Sequence, residues 1–133
     1  MKPIFADTFY FLALLNEEDE HHHRVVATAS QIDRKLVTSD WVLAEVADAL
    51  AGLDTRDLVA PFIQELSADP MVKIVPATRK LFIEGLHLYD QRTDKSWSLT
   101  DCISFVIMSG SQLSDVLTGD RHFQQAGFRA LLL

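Results

Sequence analysis

Hydrophobic positions along the chain fall into two kinds of run. Five short ones, rich in β-branched and aliphatic residues and closed by polar turns, predict strands at Pro3 to Ala6, Leu36 to Thr38, Val72 to Val75, Val116 to Thr118 and Ala130 to Leu133. Between them lie longer stretches of helical periodicity. These predict helices over Thr8 to Leu15, His22 to Arg34, an Asp40 cap to Leu53, a Thr55 cap to Ala68, Ala77 to Tyr89, and Leu99 to Gln112. Strands alternating with helices predict an α/β fold with a central, mostly parallel five-stranded sheet covered on both faces. No repeat, linker or low-complexity segment interrupts the order, so residues 1–133 read as a single domain.

Composition narrows the class. With 48% hydrophobic and 23% charged residues the chain is an ordinary globular one. Nineteen acids against twelve bases leave a net charge of −7, which excludes a broadly basic face for coating nucleic acid. An enzyme that holds nucleic acid locally is not excluded. The single cysteine, Cys102, permits no internal disulfide, and no apolar run reaches the roughly 18–20 residues that span a bilayer. The apolar stretch Phe9 to Leu15 follows Asp7, precedes the acidic run Glu17 to Glu20 and lacks a small-residue cleavage site. The expectation is a cytoplasmic protein with no membrane partner.

Four acids occupy unusual places. Asp7 follows the first strand in Phe5-Ala6-Asp7-Thr8, and Asp120 follows the fourth in Leu117-Thr118-Gly119-Asp120. In a parallel sheet both lie at the carboxyl edge, where open α/β folds place their sites. Each also suits the cap of a following helix. Glu45 shares a narrow helical stripe with Trp41 and Asp48 while most of the remaining circumference is apolar. That stripe is either solvated or turned toward the strand ends. Asp101 closes a capping-box pattern, Ser98-Leu99-Thr100-Asp101, on a helix that is apolar on nearly every side. Capping accounts for Asp101 alone, not for three further acids at compatible places. Four converging carboxylates repel one another unless divalent cations bind, and an all-oxygen pocket favours Mg²⁺ or Mn²⁺. Such ions support metal-assisted phosphodiester hydrolysis.

Other residues carry weaker signals. Arg121 and His122 follow Asp120 directly, and with Arg92 and Lys95 they are candidate RNA contacts; simple surface solvation is the alternative. Trp41 and Trp97 read as packing residues, Cys102 as a buried inert thiol, and His21-His22-His23 as a solvated helix start. There is no Gly-x-Ser-x-Gly elbow and no glycine-rich phosphate loop.

Taken in order, Phe5-Ala6-Asp7-Thr8, Val42-Leu43-Ala44-Glu45-Val46, Trp97-Ser98-Leu99-Thr100-Asp101-Cys102-Ile103-Ser104-Phe105 and Leu117-Thr118-Gly119-Asp120-Arg121-His122-Phe123 resemble the PIN domain, and more closely its VapC-type toxin ribonucleases. The resemblance covers the whole chain. It implies a three-layer α/β/α sandwich in which Asp7, Glu45, Asp101 and Asp120 form an acidic quartet that binds Mg²⁺ or Mn²⁺ and cleaves single-stranded RNA. Thr8 and Thr118 match the polar positions that support such a quartet. A small antitoxin covering the pocket and a homodimer are further implications. The alternative is a catalytically silent PIN-like protein-interaction module. A receiver-type or haloacid-dehalogenase-type phosphotransfer site is disfavoured, because Asp7-Thr8-Phe9 lacks the second acid such sites use. Setting aside the quartet and Glu17 to Glu20 leaves eleven acids against twelve bases, so the acid excess belongs to one candidate site and one loop.

Overall fold

The computed structural model describes all of residues 1–133. In chain order its elements are β1 (Ile4–Ala6), α1 (Thr8–Leu15), α2 (His22–Ala29), β2 (Leu36–Ser39), α3 (Asp40–Ala49), α4 (Arg56–Ala68), β3 (Val72–Val75), α5 (Arg79–Gln91), α6 (Leu99–Gly110), β4 (Asp115–Leu117), α7 (Arg121–Gln125) and β5 (Arg129–Ala130). The strands form one sheet in the order β3-β2-β1-β4-β5. Every pair is parallel, with Phe5 opposite Val37 on one side and Val116 on the other. Right-handed crossovers then place the helices joining β1, β2 and β3 on one face and those joining β3, β4 and β5 on the other. The chain reverses its direction of travel between β1 and β4, and Asp7 and Asp120 follow those two strands.

Burial explains why these short strands hold. Ile4, Phe5, Ala6, Val116 and Leu117 are almost fully buried, as a sheet covered on both faces requires. Around them Phe105 packs edge-on against both Trp97 and Phe123, the ring centroids 5.0 and 4.9 Å apart. The carrier of Asp101, α6, is seated by α5 at Gly85. A Cβ there would come within 2.3 Å of Ile103 Cγ1 and 3.1 Å of its Cα, so only glycine allows the two helices this close.

The sequence-based boundaries need correction in several places. The cap of α3 is Ser39, whose hydroxyl accepts from Val42 N–H, whereas Asp40 already lies inside the helix and accepts from Ala77 N–H. Helix α2 stops at Ala29, short of Arg34, and Arg34 instead donates to Lys2 O and to Asp115 Oδ2, tying the N-terminal segment to β4. Helix α3 ends at Ala49 and not Leu53; α5 runs two residues later than its apolar pattern suggests, capped by Thr78. A seventh helix, the five-residue α7, follows Asp120. The last strand begins one residue early and is short, its pairing continuing only as single bonds from Leu131 to Val116 and from Leu132 to Thr118.

Candidate metal centre

Beyond the ends of β1 and β4 the backbone must turn, and short polar side chains there satisfy it. Asp7 is the N-terminal flanking residue of α1 yet accepts nothing from that helix through its side-chain capping position. Its carboxylate faces inward, 4% exposed, and accepts a hydrogen bond from the Thr118 hydroxyl at 3.0 Å. The same Thr118 oxygen accepts from the backbone N–H of Asp120 at 3.0 Å. One buried hydroxyl therefore joins the residue after β1 to the residues after β4. Thr8, the next residue along, donates its hydroxyl to Glu45 Oε1 and so draws the acid of α3 toward the same place. Helix α3 also packs against both α1 and α6, and its acidic stripe divides: Glu45 is half-buried beside Thr8, whereas Asp48 is exposed to solvent.

The opposite wall is built by helix starts. Ser98 caps α6 by accepting from Asp101 N–H at 3.0 Å, while the Asp101 carboxylate accepts from Ser98 N–H at 3.2 Å. The capping box read from the sequence is thus present, and Asp101 is nonetheless 7% exposed and turned into the site. Asp120 caps α7 by accepting from His122 N–H at 2.8 Å. The His122 ring then folds back, its Nδ1 2.9 Å from Asp101 Oδ2 and 3.5 Å from Asp120 Oδ1. One donor atom from each of Asp101, Asp120 and His122 lies within 4.8 Å of the others. Gly119 lies against the tip of the Phe9 ring, where a Cβ would meet ring carbon at 2.6 Å, so a side chain in the turn before Asp120 would have to push that ring aside.

Electrostatics mark the centre of the cluster. Burial, opposed by hydrogen bonds from the Thr8 backbone N–H and the Thr118 hydroxyl and reinforced by the neighbouring charges of Asp101 and Glu45, pushes the Asp7 carboxyl up to about 7. No lysine or arginine pairs with any of the four acids; the only basic side chain in contact is His122. Carboxylate oxygens carried by four elements, with no lysine or arginine beside them, suit a hard divalent ion such as Mg²⁺ or Mn²⁺, and the donors grouped within 4.8 Å of one another are those of Asp101, Asp120 and His122. The one buried side-chain polar atom without a partner in the whole chain, Ser104 Oγ, lies a single turn beyond Asp101.

The remaining candidates separate. His122, read from the sequence as a phosphate contact or a solvated residue, lies inside the cluster. Arg121 is exposed at the start of α7. Arg92 and Lys95 border a cleft of about 800 Å³ that runs to Ser98 beside the site. Arg92 is already held there, in a two-bond pair with Asp94 and above the Trp97 ring at 4.8 Å, and Lys95 is 3.8 Å from the same carboxylate. Trp97 is a packing residue, its Nε1 donating to Gln125, and Trp41 is half-buried against the core. His22 hydrogen-bonds the Ala13 carbonyl, and His21 packs on Phe9, so the histidine trio is partly structural rather than wholly solvated. No helix is long and apolar enough to cross a membrane.

Comparison with known proteins agrees with this layout. The family model described as PIN domain matches residues 4–129. Among solved structures, the chain is similar to VapC20 of Mycobacterium tuberculosis, described as a sarcin–ricin loop cleaving toxin, with TM-score 0.86, 21% identity and 98% of each chain covered. It is also similar to FitAcB from Neisseria gonorrhoeae, with TM-score 0.66, 20% identity, and 96% of this chain and 95% of that one covered. No curated protein matches in sequence.

Proposed function

The chain belongs to the PIN-domain family, and from that membership we propose that it is a divalent-metal-dependent endoribonuclease, hydrolysing single-stranded RNA as the toxin of a toxin–antitoxin pair. The observation that supports the reading is the placement of Asp7, Glu45, Asp101 and Asp120 around the carboxyl edge of a parallel sheet, with Asp7 buried, Asp101 and Asp120 grouped with His122 within 4.8 Å, and no lysine or arginine paired with any of the four. The toxin role is supported by the fold shared with a VapC-type toxin over 98% of both chains.

In this reading the four carboxylates hold Mg²⁺ or Mn²⁺, which when bound supplies an activated water and Lewis acidity toward a phosphate oxygen. The chain's own residues do the positioning. Thr118 fixes the Asp7 carboxylate by donating to Oδ2, and Thr8 fixes Glu45 in the same way. The capping box keeps Asp101 turned toward Asp7 rather than toward solvent. Asp7, titrating near neutrality before an ion arrives, is the member best placed to exchange a proton with water. Arg121 at the rim, with Arg92 and Lys95 along the cleft, would meet RNA phosphates, releasing Asp94 as they do so. A small antitoxin covering the pocket would act by supplying the missing cationic side chain, and a homodimer is part of the same reading.

Purified protein incubated with single-stranded RNA and Mn²⁺ should cleave it, and EDTA should stop cleavage. Equal cleavage by the wild type and an Asp7→Asn/Asp101→Asn variant would sink the proposal, since the activity would then come from a contaminant.

A further inference from the structure

The acidic site is not made of oxygen alone. His122 Nδ1 lies 2.9 Å from Asp101 Oδ2 and 3.5 Å from Asp120 Oδ1. Neighbouring ligands around an ion bound at about 2.1 Å are separated by about 3.0 Å in an octahedron and about 3.4 Å in a tetrahedron. The two observed separations lie near those edges, and all three donor atoms lie within 4.8 Å of one another, so small side-chain shifts bring the nitrogen and both carboxylates onto one ion. The ring's other nitrogen has a partner outside the cluster: Nε2 is 3.4 Å from the hydroxyl of Ser96, in the loop before α6. Metal-binding histidines almost always donate their second N–H to such an acceptor, which fixes the ring and its tautomer.

We infer that Asp101, Asp120 and His122 form a mixed oxygen–nitrogen site for a borderline first-row transition ion of the Co²⁺, Ni²⁺ or Zn²⁺ class, distinct in preference from an oxygen-only Mg²⁺ centre. In the structure Nδ1 faces a carboxylate that can only accept, so the ring proton is on Nδ1. On metal binding the ion takes the Nδ1 lone pair in place of the proton, and the ring's remaining N–H is the one at Nε2, where Ser96 Oγ accepts it. Imidazole favours these ions over Mg²⁺, which seeks oxygen and gives up water reluctantly. The inference shares Asp101 and Asp120 with the nuclease reading and so rests on the same wall of the site. An ion held there would compete with Mg²⁺ for the two carboxylates, and the centre would answer to the identity of the metal and not only to its presence.

The test uses the full chain without RNA. Calorimetric titration with Co²⁺ and separately with Mg²⁺ should give tighter Co²⁺ binding. His122→Gln should weaken Co²⁺ by more than the roughly 10–100-fold typical of losing an outer-shell partner, with Mg²⁺ affinity far less affected. Ser96→Ala should weaken Co²⁺ within that range. Ring nitrogen NMR of the wild type avoids any question of misfolded variants: Zn²⁺ should shift the His122 Nδ1 resonance and Mg²⁺ should leave it in place. An unmoved Nδ1 resonance, equal Co²⁺ affinity in wild type and His122→Gln, or parallel loss of both metals would each overturn the inference. Mn²⁺-dependent RNA cleavage is scored separately. Cleavage that persists while Nδ1 ignores Zn²⁺ rejects this inference alone, and a wild type that binds Co²⁺ through His122 but cuts no RNA rejects the nuclease reading alone.

Discussion

The two walls of the acidic site are built on opposite principles. Asp7 and Glu45 are held by threonine hydroxyls reaching across 111 and 37 residues of sequence, respectively from Thr118 to Asp7 and from Thr8 to Glu45. Asp101 and Asp120 are held by bonds that span two or three residues, the capping box with Ser98 and the turn to His122 N–H. The first wall owes its geometry to tertiary packing and carries a buried charge at a cost. The second owes its geometry to helix starts that would form nearly the same way in many settings. The lesson is that a site can place its electrostatic strain on the part of the fold held by distant partners, and leave the rest to local turns and caps.

If that contrast is right, the largest effects fall on the sheet-end wall. Asp7→Asn should reduce RNA cleavage by roughly 10²–10³-fold or more, the scale for removing one preorganised charged group, as measured by kcat/KM in Mn²⁺. Its effect on stability runs the other way. With a carboxyl at about 7 against 3.8 in the unfolded chain, native protein keeps a proton on Asp7 that the unfolded chain has already released. Stability in EDTA therefore falls as pH rises from about 4 to 7 and levels off above, by on the order of 4 kcal/mol in all. Urea denaturation across that range should show the decline in the wild type and lose it in Asp7→Asn; a flat wild-type profile would contradict the buried charge. Millimolar Mn²⁺ should accordingly raise the melting temperature more at pH 8 than at pH 5.

Thr118→Val comes next. It removes the donor to Asp7 and the acceptor for Asp120 N–H while keeping the shape of the side chain, which should cost about 1–3 kcal/mol for the orphaned groups and roughly 10–100-fold in metal affinity. Ser98→Ala is the smallest, about 1 kcal/mol of stability for a lost cap, with cleavage reduced less than by Thr118→Val. A reversal of that order would mean that the capping wall, not the sheet-end wall, sets the geometry.

The same contrast explains what could be read from the sequence. Asp7, Glu45, Asp101 and Asp120 stood out as candidates because each is marked by its own surroundings: a strand ending in an acid, an acid on a largely apolar helix, a capping box. The covered, parallel five-stranded sheet was legible in outline because its short strands are mostly apolar and alternate with helices. Ser39 rather than Asp40 as the cap of α3 was missed, since both residues suit that role and the choice was made by Asp40 reaching the distant Ala77 N–H. The early end of α2 has the same origin in the remote partners of Arg34. His122 was the instructive miss. Its backbone contact with Asp120 is local and could have been anticipated from an acid two residues upstream of a helical N–H, but the contact of its ring with Asp101 crosses 21 residues and depends on how α6 and α7 meet.

The Thr118–Asp7 bond has a consequence for the order of events during synthesis. The hydroxyl that orients Asp7 is made 111 residues after it. At roughly 5–20 residues per second, roughly 5–20 s pass between the two. Through that interval the nascent chain carries three of its four acids at most and lacks the hydroxyl and the turn that unite them. On the nuclease reading proposed above, such a chain would stay inert while still surrounded by the RNA of the machine that makes it, and become competent only as its last strands close the sheet.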